Sequence, residues 1–375
     1  MKIVMVHNLQ RGGAHRRMSE QVAHLDLPVT EVTFEGSDPV TSNPVVVPLV
    51  HRGSRPHPIA RPVTRYLDLL SLMQSYRQLG EVVRQHSPDV IWMNPCHILQ
   101  SMWLPEDLAQ QSVYYCDEPR RTDYEVALKG STKIRTRVPY WPLRRISRHL
   151  DRSTIAHIPT IATNSTYTAG QIQQAYGRQS EVVRCGVSAQ FRPPVADDPR
   201  DHLLSVGSLI PTKGHDLVIT AAGRSGLGLP VLVASHRSDP LEEARLHEIA
   251  QKVGVALDIR IGVSDDELVE LYQTARVTLY LSHAEPFGLV STEAQACGSP
   301  VIVSDEGGLP ETILPGITGW AVARDPDRVA EKLATFADVR VAARFGDAAA
   351  AHASMWSWSE SAGRLRTLMS ELAER

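Results

Sequence analysis

Cysteine is scarce in this chain of 375 residues. The four present, Cys96, Cys116, Cys185 and Cys297, include no CxxC pair, so neither a disulfide framework nor a cysteine zinc site is indicated. A reducing compartment fits that usage. Long apolar runs are missing as well. No stretch of 18 apolar residues occurs, which leaves nothing suited to span a bilayer as a helix. The run at residues 2–6 is too short for the core of a secretory signal and reads as a first buried strand. Net charge is small: 39 Lys and Arg against 42 Asp and Glu leave −3, which argues against a dedicated nucleic-acid binder. The GxGxxG dinucleotide fingerprint and the GxxxxGK[ST] phosphate loop are both absent. Fifteen histidines form no HxH or HxxxH pair, so metal ligation has little support.

What the chain does hold is enough apolar material for two cores. Hydrophobic residues make up 42% and charged residues 22%, which rules against global disorder. The length suits two domains better than one. Charge is split unevenly: residues 1–190 carry 22 Lys and Arg against 16 Asp and Glu, and residues 191–375 carry 17 against 26. A basic and an acidic half suit two lobes facing across a cleft. Apolar runs at 2–6, 88–93, 112–116 and 160–163 read as strands, with helix-like stretches such as 66–85 between them. Around 191–201 the composition turns to proline and charge, the mark of a linker. Further strand-like runs follow at 203–206, 230–234, 257–261, 277–281 and 300–303. This alternation predicts an α/β protein with two doubly wound parallel sheets. Residues 356–375 show apolar residues at helical spacing with no strand after them, so this helix must cover another part of the protein. The expected division is one domain over 1–190, a second over 191–355 and the terminal helix over 356–375. Folds of this kind bind ligands at the carboxyl ends of their strands.

Four turns at strand ends carry the chemistry. The richest runs Glu285-Pro286-Phe287-Gly288-Leu289-Val290-Ser291-Thr292-Glu293 and on to Cys297-Gly298-Ser299-Pro300. Gly288 lets the backbone approach a ligand closely. The helix expected over 289–296, with Gly298 as its C-terminal cap, would offer free N–H groups and a positive dipole end to an anionic or polar ligand. Glu285 and Glu293 would face the same mouth, and carboxylates accept the paired hydroxyl bonds of a ribose or hexose diol. A capping Glu285 and a solvated Glu293 fit these two residues equally well. The second turn is Val206-Gly207-Ser208-Leu209-Ile210-Pro211-Thr212-Lys213-Gly214. Lys213 suits a phosphate as a point charge or is an ordinary surface lysine. In the third, Arg11-Gly12-Gly13-Ala14-His15-Arg16-Arg17, the glycine pair permits close approach to a diphosphate or makes a simple turn. The fourth, Asp305-Glu306-Gly307-Gly308-Leu309-Pro310-Glu311, is a tight loop or another such approach, with a helix start at Pro310.

In order and spacing these segments resemble the family-4 glycosyltransferases, retaining enzymes of the GT-B fold. The E-x7-E pattern from Glu285 to Glu293, with FGL and ACGxPV after it, carries the resemblance most strongly. The GGLPE segment, the Gly-turn-Lys-Gly segment and Gly316-Ile317-Thr318-Gly319-Trp320 also match, and in the first half Asn164-Ser165, Tyr176-Gly177 and Gly186-Val187 look like the run-up to the linker. The match is strong over roughly 200–320 and diffuse over 1–190. It implies two Rossmann-like domains with the C-terminal helix crossing back to the first. It also implies a retaining hexosyltransferase using a nucleotide-diphosphate sugar, UDP- ahead of GDP-, with no metal or other cofactor. Glu293 would bind the ribose, and Glu285 with the backbone at Phe287, Gly288 and Leu289 would hold the sugar. Lys213 would bind the diphosphate, helped by the amides of Gly12 and Gly13, while Arg260 and Val263 would lie near the base. The leaving phosphate would take the acceptor's proton, so catalysis is mainly positioning and stabilisation of the departing diphosphate.

Two positions depart from the family's pattern. Ser208 stands where the family usually has Arg, and Arg237, Arg120 or Arg121 is the candidate replacement. Asp117 stands where the family often has His. An ionised Asp only accepts hydrogen bonds, and near a diphosphate it is repulsive unless an arginine pairs with it or its pKa rises. Asp117 and Glu285 are the candidate catalytic groups, and Arg120 and Arg121 the candidate acceptor-site cations. Residues 133–152 carry seven Lys and Arg with Tyr140 and Trp141 interleaved, a pattern that could rest on an anionic membrane. Pro139 and Pro142 break any long helix there, and a solvated segment fits better. Asp325-Pro326-Asp327 has the DxD form of metal-dependent transferases of another fold but reads as a helix cap. The expected partners are a nucleotide-sugar donor and a small-molecule, glycan or lipid-linked acceptor, with no nucleic acid. The expected location is the cytoplasm, with attachment to the inner membrane face as the alternative. Two other functions stay open at this point: a nucleotide-sugar epimerase of similar fold, and a non-catalytic nucleotide-sugar-binding relative.

Overall fold

Strands that are apolar on both faces decide the architecture. Every residue is buried in β1 (Ile3–Asn8), β4 (Val90–Cys96) and β5 (Ser112–Cys116). Such strands have no face to give to water and need helices on both sides, which parallel crossover connections supply. The computed structural model describes residues 1–49, 61–121, 141–195 and 200–375. These fall into two units, residues 1–184 with 358–375, and residues 185–357. The first unit thus ends six residues short of the sequence boundary at 190. Val187 is already tied to the second unit by its N–H on Trp356 O at 3.0 Å. Residues 196–199 of the expected linker and 133–140 of the basic segment lie outside the described residues.

The first unit holds a seven-stranded parallel sheet in the order β3 (Val45–Val47), β2 (Val29–Phe34), β1, β4, β5, β6 (Thr160–Thr163), β7 (Glu181–Val182). Alternate residues face opposite layers, as the strand period of two requires. Val4, Val6, Ile91 and Met93 pack with Leu72, Tyr76, Leu79 and Val83 of the helix Arg61–Gln85. Ile3, Met5, Val90 and Trp92 pack instead with Leu365, Leu368 and Met369 of the terminal helix Trp358–Ala373. That helix, strandless in the sequence, covers one face of the first sheet.

The second unit holds six parallel strands in the order β10 (Leu257–Ile261), β9 (Val231–Ser235), β8 (His202–Val206), β11 (Ala275–Tyr280), β12 (Val301–Ser304), β13 (Gly319–Val322). In each sheet the strand order reverses once, between β1 and β4 in the first and between β8 and β11 in the second. The loops leaving two strands that part in opposite directions open a crevice at their carboxyl ends, and ligands of such sheets bind there. The Gly12–Gly13 turn follows β1. The Lys213 and Glu285 turns follow β8 and β11, so topology alone brings these last two side by side.

Four strands escaped the pattern reading. β3 and β7 are only three and two residues long, and β2 hides a buried carboxylate, Glu31, that His7 Nε2 bonds at 2.7 Å. β13 opens on Gly319, where a Cβ would lie 1.9 Å from Val301 O of β12. The Asp325 reading holds: its side chain accepts from the N–H groups of Asp327 and Arg328 and caps the helix Pro326–Leu333.

Gly346 of the helix Val339–Ala353 also lets backbones touch, since a Cβ there would lie 2.1 Å from Gly298 O. Gly346→Ala should destabilise the second unit by about 1–3 kcal/mol through overpacking, read as a lower urea midpoint. An unchanged midpoint would show that the helix moves away at no cost.

Candidate active site

The loop after β8, residues 207–214, is pressed onto the loop after β11, residues 281–288. Gly214 sits at φ +74°, and a Cβ there would lie 2.4 Å from Leu281 O, so only glycine lets the loops meet this closely. The N–H of His283 bonds Thr212 O at 2.7 Å. At this seam Lys213 Nζ lies 2.8 Å from Glu285 Oε2 and donates to Tyr280 Oη at 2.9 Å. Ser282 Oγ donates to the same Glu285 oxygen at 2.8 Å. The two charged side chains are 20% and 19% exposed. Burial pulls the Lys213 pKa down, but Tyr280 and Glu285 outweigh it and hold the ammonium above its ordinary range. Burial pushes Glu285 up, and Lys213 with the bonds from Ser282 and Tyr280 brings it below the ordinary carboxylate range. Both groups are therefore charged at neutral pH.

A third loop, residues 305–308, locks the second. Glu306 Oε2 meets His283 Nδ1 at 2.6 Å and the N–H of Ala284 at 3.3 Å. Gly308 N–H bonds Glu285 O at 2.7 Å. A Cβ on Gly307 would lie 2.3 Å from Glu285 O, and one on Gly308 2.2 Å from Pro286 O. The glycine pair of GGLPE thus lets the two loops pack backbone to backbone. Ala284 is held at φ +47°, a conformation an L side chain adopts only when its surroundings impose it. The helix Leu289–Ala296 starts at Gly288 with no side-chain cap, so its first amides remain available to a ligand.

Not every expected residue joins this cluster. Glu293 is buried, 4% exposed, and accepts from Tyr272 Oη at 3.4 Å. Its neighbour Cys297 is pushed up to about 12 by burial and by the Glu293 charge. Ser208 is placed by its carbonyl, which His215 Nε2 meets at 3.2 Å while His215 Nδ1 meets Ser205 Oγ at 2.8 Å. Arg260 lies in exposed ion pairs with Asp258 at 3.0 Å and Glu267 at 3.3 Å. Val263 packs at the edge of the core, followed by Ser264 capping the helix Asp265–Thr274. Arg237 is exposed after β9.

In the first unit the helix Gly13–Ala23 also begins without a side-chain cap, at Gly12. Gly12 is extended, and a Cβ there would meet only Gln10 O at 3.9 Å. Asp117, at the end of β5, takes a forked ion pair from Arg17, Nε to Oδ1 at 3.1 Å and Nη2 to Oδ2 at 2.6 Å. This supplies the arginine partner that the sequence left unnamed. Arg120 donates to Ile98 O, and Arg121 lies 3.9 Å from Glu118. Tyr280, Ser282, His283, Glu306, Arg17 and Asn164 were not singled out for function in the sequence. Arg17, Glu306 and Asn164 lie inside the motif segments at 11–17, 305–311 and 164–165, and Tyr280, Ser282 and His283 lead up to Glu285; those positions were the available signals. Among the described residues no group of three or more His, Cys, Asp or Glu side chains is placed to hold a metal, and no helix is long and apolar enough to cross a membrane.

Residues 187–351 match the family model described as glycosyl transferases group 1. The chain is 33% identical over 260 residues to a D-inositol 3-phosphate glycosyltransferase of Acidothermus cellulolyticus, covering 62% of this chain and 58% of that protein. It is 32% identical over 231 residues to the one of Streptomyces scabiei, covering 54% and 51%. The chain therefore spans little more than half the length of these relatives. Its fold is similar to that of sucrose-phosphate synthase from Thermosynechococcus elongatus, with a TM-score of 0.75, 19% identity and 99% of each chain covered. It is also similar to Anabaena HepE in complex with UDP and glucose, with a TM-score of 0.70, 16% identity and 99% of each chain covered. These structures share the GT-B architecture, two Rossmann-like sheets, that the resemblance implies.

His215 yields a pH test of the loop that carries Ser208 and Lys213. Burial holds its pKa at about 4, against an unfolded value of 6.5. The unfolded chain binds this proton first, so the stability is fully present above pH 6.5 and declines as pH falls from 6.5 to 4. The full loss is on the order of 3 kcal/mol. His215→Gln should remove that part of the slope between urea midpoints at pH 7 and pH 4.5. An identical slope in the variant would show that His215 takes its proton freely in the fold.

Proposed function

We propose that the protein is a retaining hexosyltransferase, a reading supported by the match of residues 187–351 to the glycosyl transferases group 1 family model. It takes its sugar from a nucleotide-diphosphate donor, UDP-sugar ahead of GDP-sugar, and passes it to a hydroxyl acceptor without a metal ion. The observation that carries this reading is the Lys213–Glu285 pair at the strand switch point, 2.8 Å apart. It puts a permanent cation and an ionised carboxylate within one hydrogen bond of each other, beside uncapped helix amides. A sugar diphosphate needs this combination: positive charge for the phosphates and an acceptor for the sugar hydroxyls.

On this reading, donor binding draws Lys213 from Glu285 onto the diphosphate, and Glu285 turns its freed oxygen to the hexose. Glu293, fixed near Tyr272, takes the ribose diol. The bond from the anomeric carbon to the phosphate oxygen breaks as the acceptor oxygen arrives on the same face. The acceptor's proton passes to the leaving phosphate, so no protein nucleophile is required. Ser208 brings no charge, which leaves Lys213, the amides at 289 and Arg237 to offset the diphosphate. The relatives named for D-inositol 3-phosphate support a phosphorylated polyol as acceptor, with Arg120 and Arg121 as its cations. The HepE complex with UDP supports a uridine donor. We place the protein in the cytoplasm on its composition.

The His283–Glu306 pair, 2.6 Å apart and with His283 two residues before Glu285, favours one second reading, an epimerase that needs an acid–base pair near the sugar. Such an enzyme would isomerise donor with no acceptor present.

A thermal-shift panel of UDP-, GDP- and ADP-sugars separates these outcomes from failure. A donor at 100 times its Kd should stabilise by about 2.7 kcal/mol. We expect the response from UDP-sugars, at least tenfold weaker binding in Lys213→Ala and weaker nucleotide binding in Glu293→Ala. No shift with any donor, or full affinity in Lys213→Ala, would contradict the assignment.

A further inference from the structure

Glu285 is aimed by a turn that its own residues do not favour. Ala284, just before it, sits at φ +47°, where a Cβ is crowded by the adjoining backbone. A residue keeps such a conformation when the surrounding contacts fix it. Those contacts come from the segment that ends β12. Ser304 Oγ donates to Ser282 O at 2.7 Å, and Gly308 N–H donates to Glu285 O at 2.7 Å. Between them stands Glu306, whose Oε2 accepts from His283 Nδ1 at 2.6 Å and from the Ala284 N–H at 3.3 Å. Residues 282–285 are thus each gripped by 304–308. The outcome is Glu285 Oε2 placed 2.8 Å from both Lys213 Nζ and Ser282 Oγ.

Glu306 is the one side chain in this grip that binds the strained residue itself. The Ser304 and Gly308 bonds fix the carbonyls on either side, whereas the Glu306 carboxylate takes the Ala284 amide. A ring nitrogen that faces a carboxylate carries the proton, so His283 donates through Nδ1. The backbone N–H of His283 lies on Thr212 O at 2.7 Å, which ties the residue to the Lys213 loop as well. A Cβ on Gly307 would lie 2.8 Å from the Ala284 carbonyl carbon, so only glycine after Glu306 lets the carboxylate come this near. The side chains of His283 and Glu306 are 25% and 35% exposed. They lie at the rim of the site, and a substitution there empties no core.

We propose that Glu306 is a positioning residue for the sugar half of the donor: it holds Ala284 in the left-handed conformation that aims Glu285, and itself touches neither sugar nor phosphate. The proposal rests on the glycosyl-transfer reading and adds to it a residue outside the Glu285–Glu293 pattern. Lys213 and the amides at 289 hold the diphosphate without help from residue 306. Loss of Glu306 is therefore felt on the hexose and not on the nucleotide.

The test is calorimetric titration of the full chain with UDP and with UDP-glucose. Glu306→Ala lowers the affinity for UDP-glucose about tenfold, the scale of one hydrogen bond to a charged group, and leaves UDP bound at least as tightly as before. Glu306→Gln keeps an oxygen in place for both donors and keeps the wild-type ratio of the two affinities. Glu306→Asp keeps the charge but withdraws the oxygen by one methylene. It shifts the ratio in the same direction as Glu306→Ala and keeps the test decisive if that variant does not fold. A residue that only stabilises the fold would lower the melting temperature and weaken both ligands together. That result, or an unchanged ratio in Glu306→Ala and Glu306→Asp, overturns the proposal. So does a loss in Glu306→Gln as deep as in Glu306→Ala, the mark of an acid–base pair. A crystal structure of ligand-free Glu306→Ala gives a readout that no donor enters: Ala284 leaves the left-handed region and Glu285 shifts from Lys213. Ala284 still near φ +47° with Glu285 still 2.8 Å from Lys213 overturns the positioning role by itself. A wild-type chain that binds neither ligand contradicts the donor reading instead, and that structure still decides for or against Glu306.

Discussion

The ion pair between Lys213 and Glu285 is the constraint around which the second unit's loops are arranged. Each side chain is about four-fifths buried, and neither charge is tolerable there without the other. Tyr280 and Ser282 complete the bonding and come from the strand and turn that also deliver Glu285. The three loops are bound to one another through backbone, Thr212 to His283 and Glu285 to Gly308, and the guanidinium of Arg324, from outside them, holds the Leu281 carbonyl. A site built on main-chain contacts has little freedom to drift, which is what positioning catalysis requires.

Strand order explains why these loops meet. A sheet whose connections run outward in both directions from one pair of strands must open at that pair, and β8 and β11 are the pair. The glycines at 214, 307 and 308 then make the closeness possible, since a Cβ at any of them would fall within 2.4 Å of a carbonyl oxygen of the facing loop. The first unit repeats the topology but fills its strand ends differently, with a guanidinium–carboxylate pair buried behind a partly open edge.

Much of this was legible in the sequence. β5, β6, β10 and the helix Leu289–Ala296 fall on the residues their patterns predict, because short, largely apolar runs (β5 and β6), the strict apolar–charged alternation of Leu257–Ile261 (β10) and a helix-forming run between glycines have few other solutions. Glu285, Gly288 and Lys213 were legible because their motifs combine unusual residue types at fixed spacing. The partners were not. Arg17 and Asp117 are 100 residues apart, and Lys213 and Glu285 are 72, and nothing local in a sequence records which distant charges will meet. Glu31 masked β2 because a charge inside a strand looks like a turn until its buried histidine is seen. That the GGLPE glycines pack against the backbone of residues 285 and 286 could be seen only from the distances to their Cβ positions.

The account stands or falls on what Lys213 does when donor arrives. A crystal structure of the chain with UDP-glucose measures it directly. Lys213 Nζ should lie on a diphosphate oxygen, with Glu285 released from the ammonium and facing sugar hydroxyls. A bound donor with the Lys213–Glu285 bond still intact at 2.8 Å and the phosphates held elsewhere would contradict it.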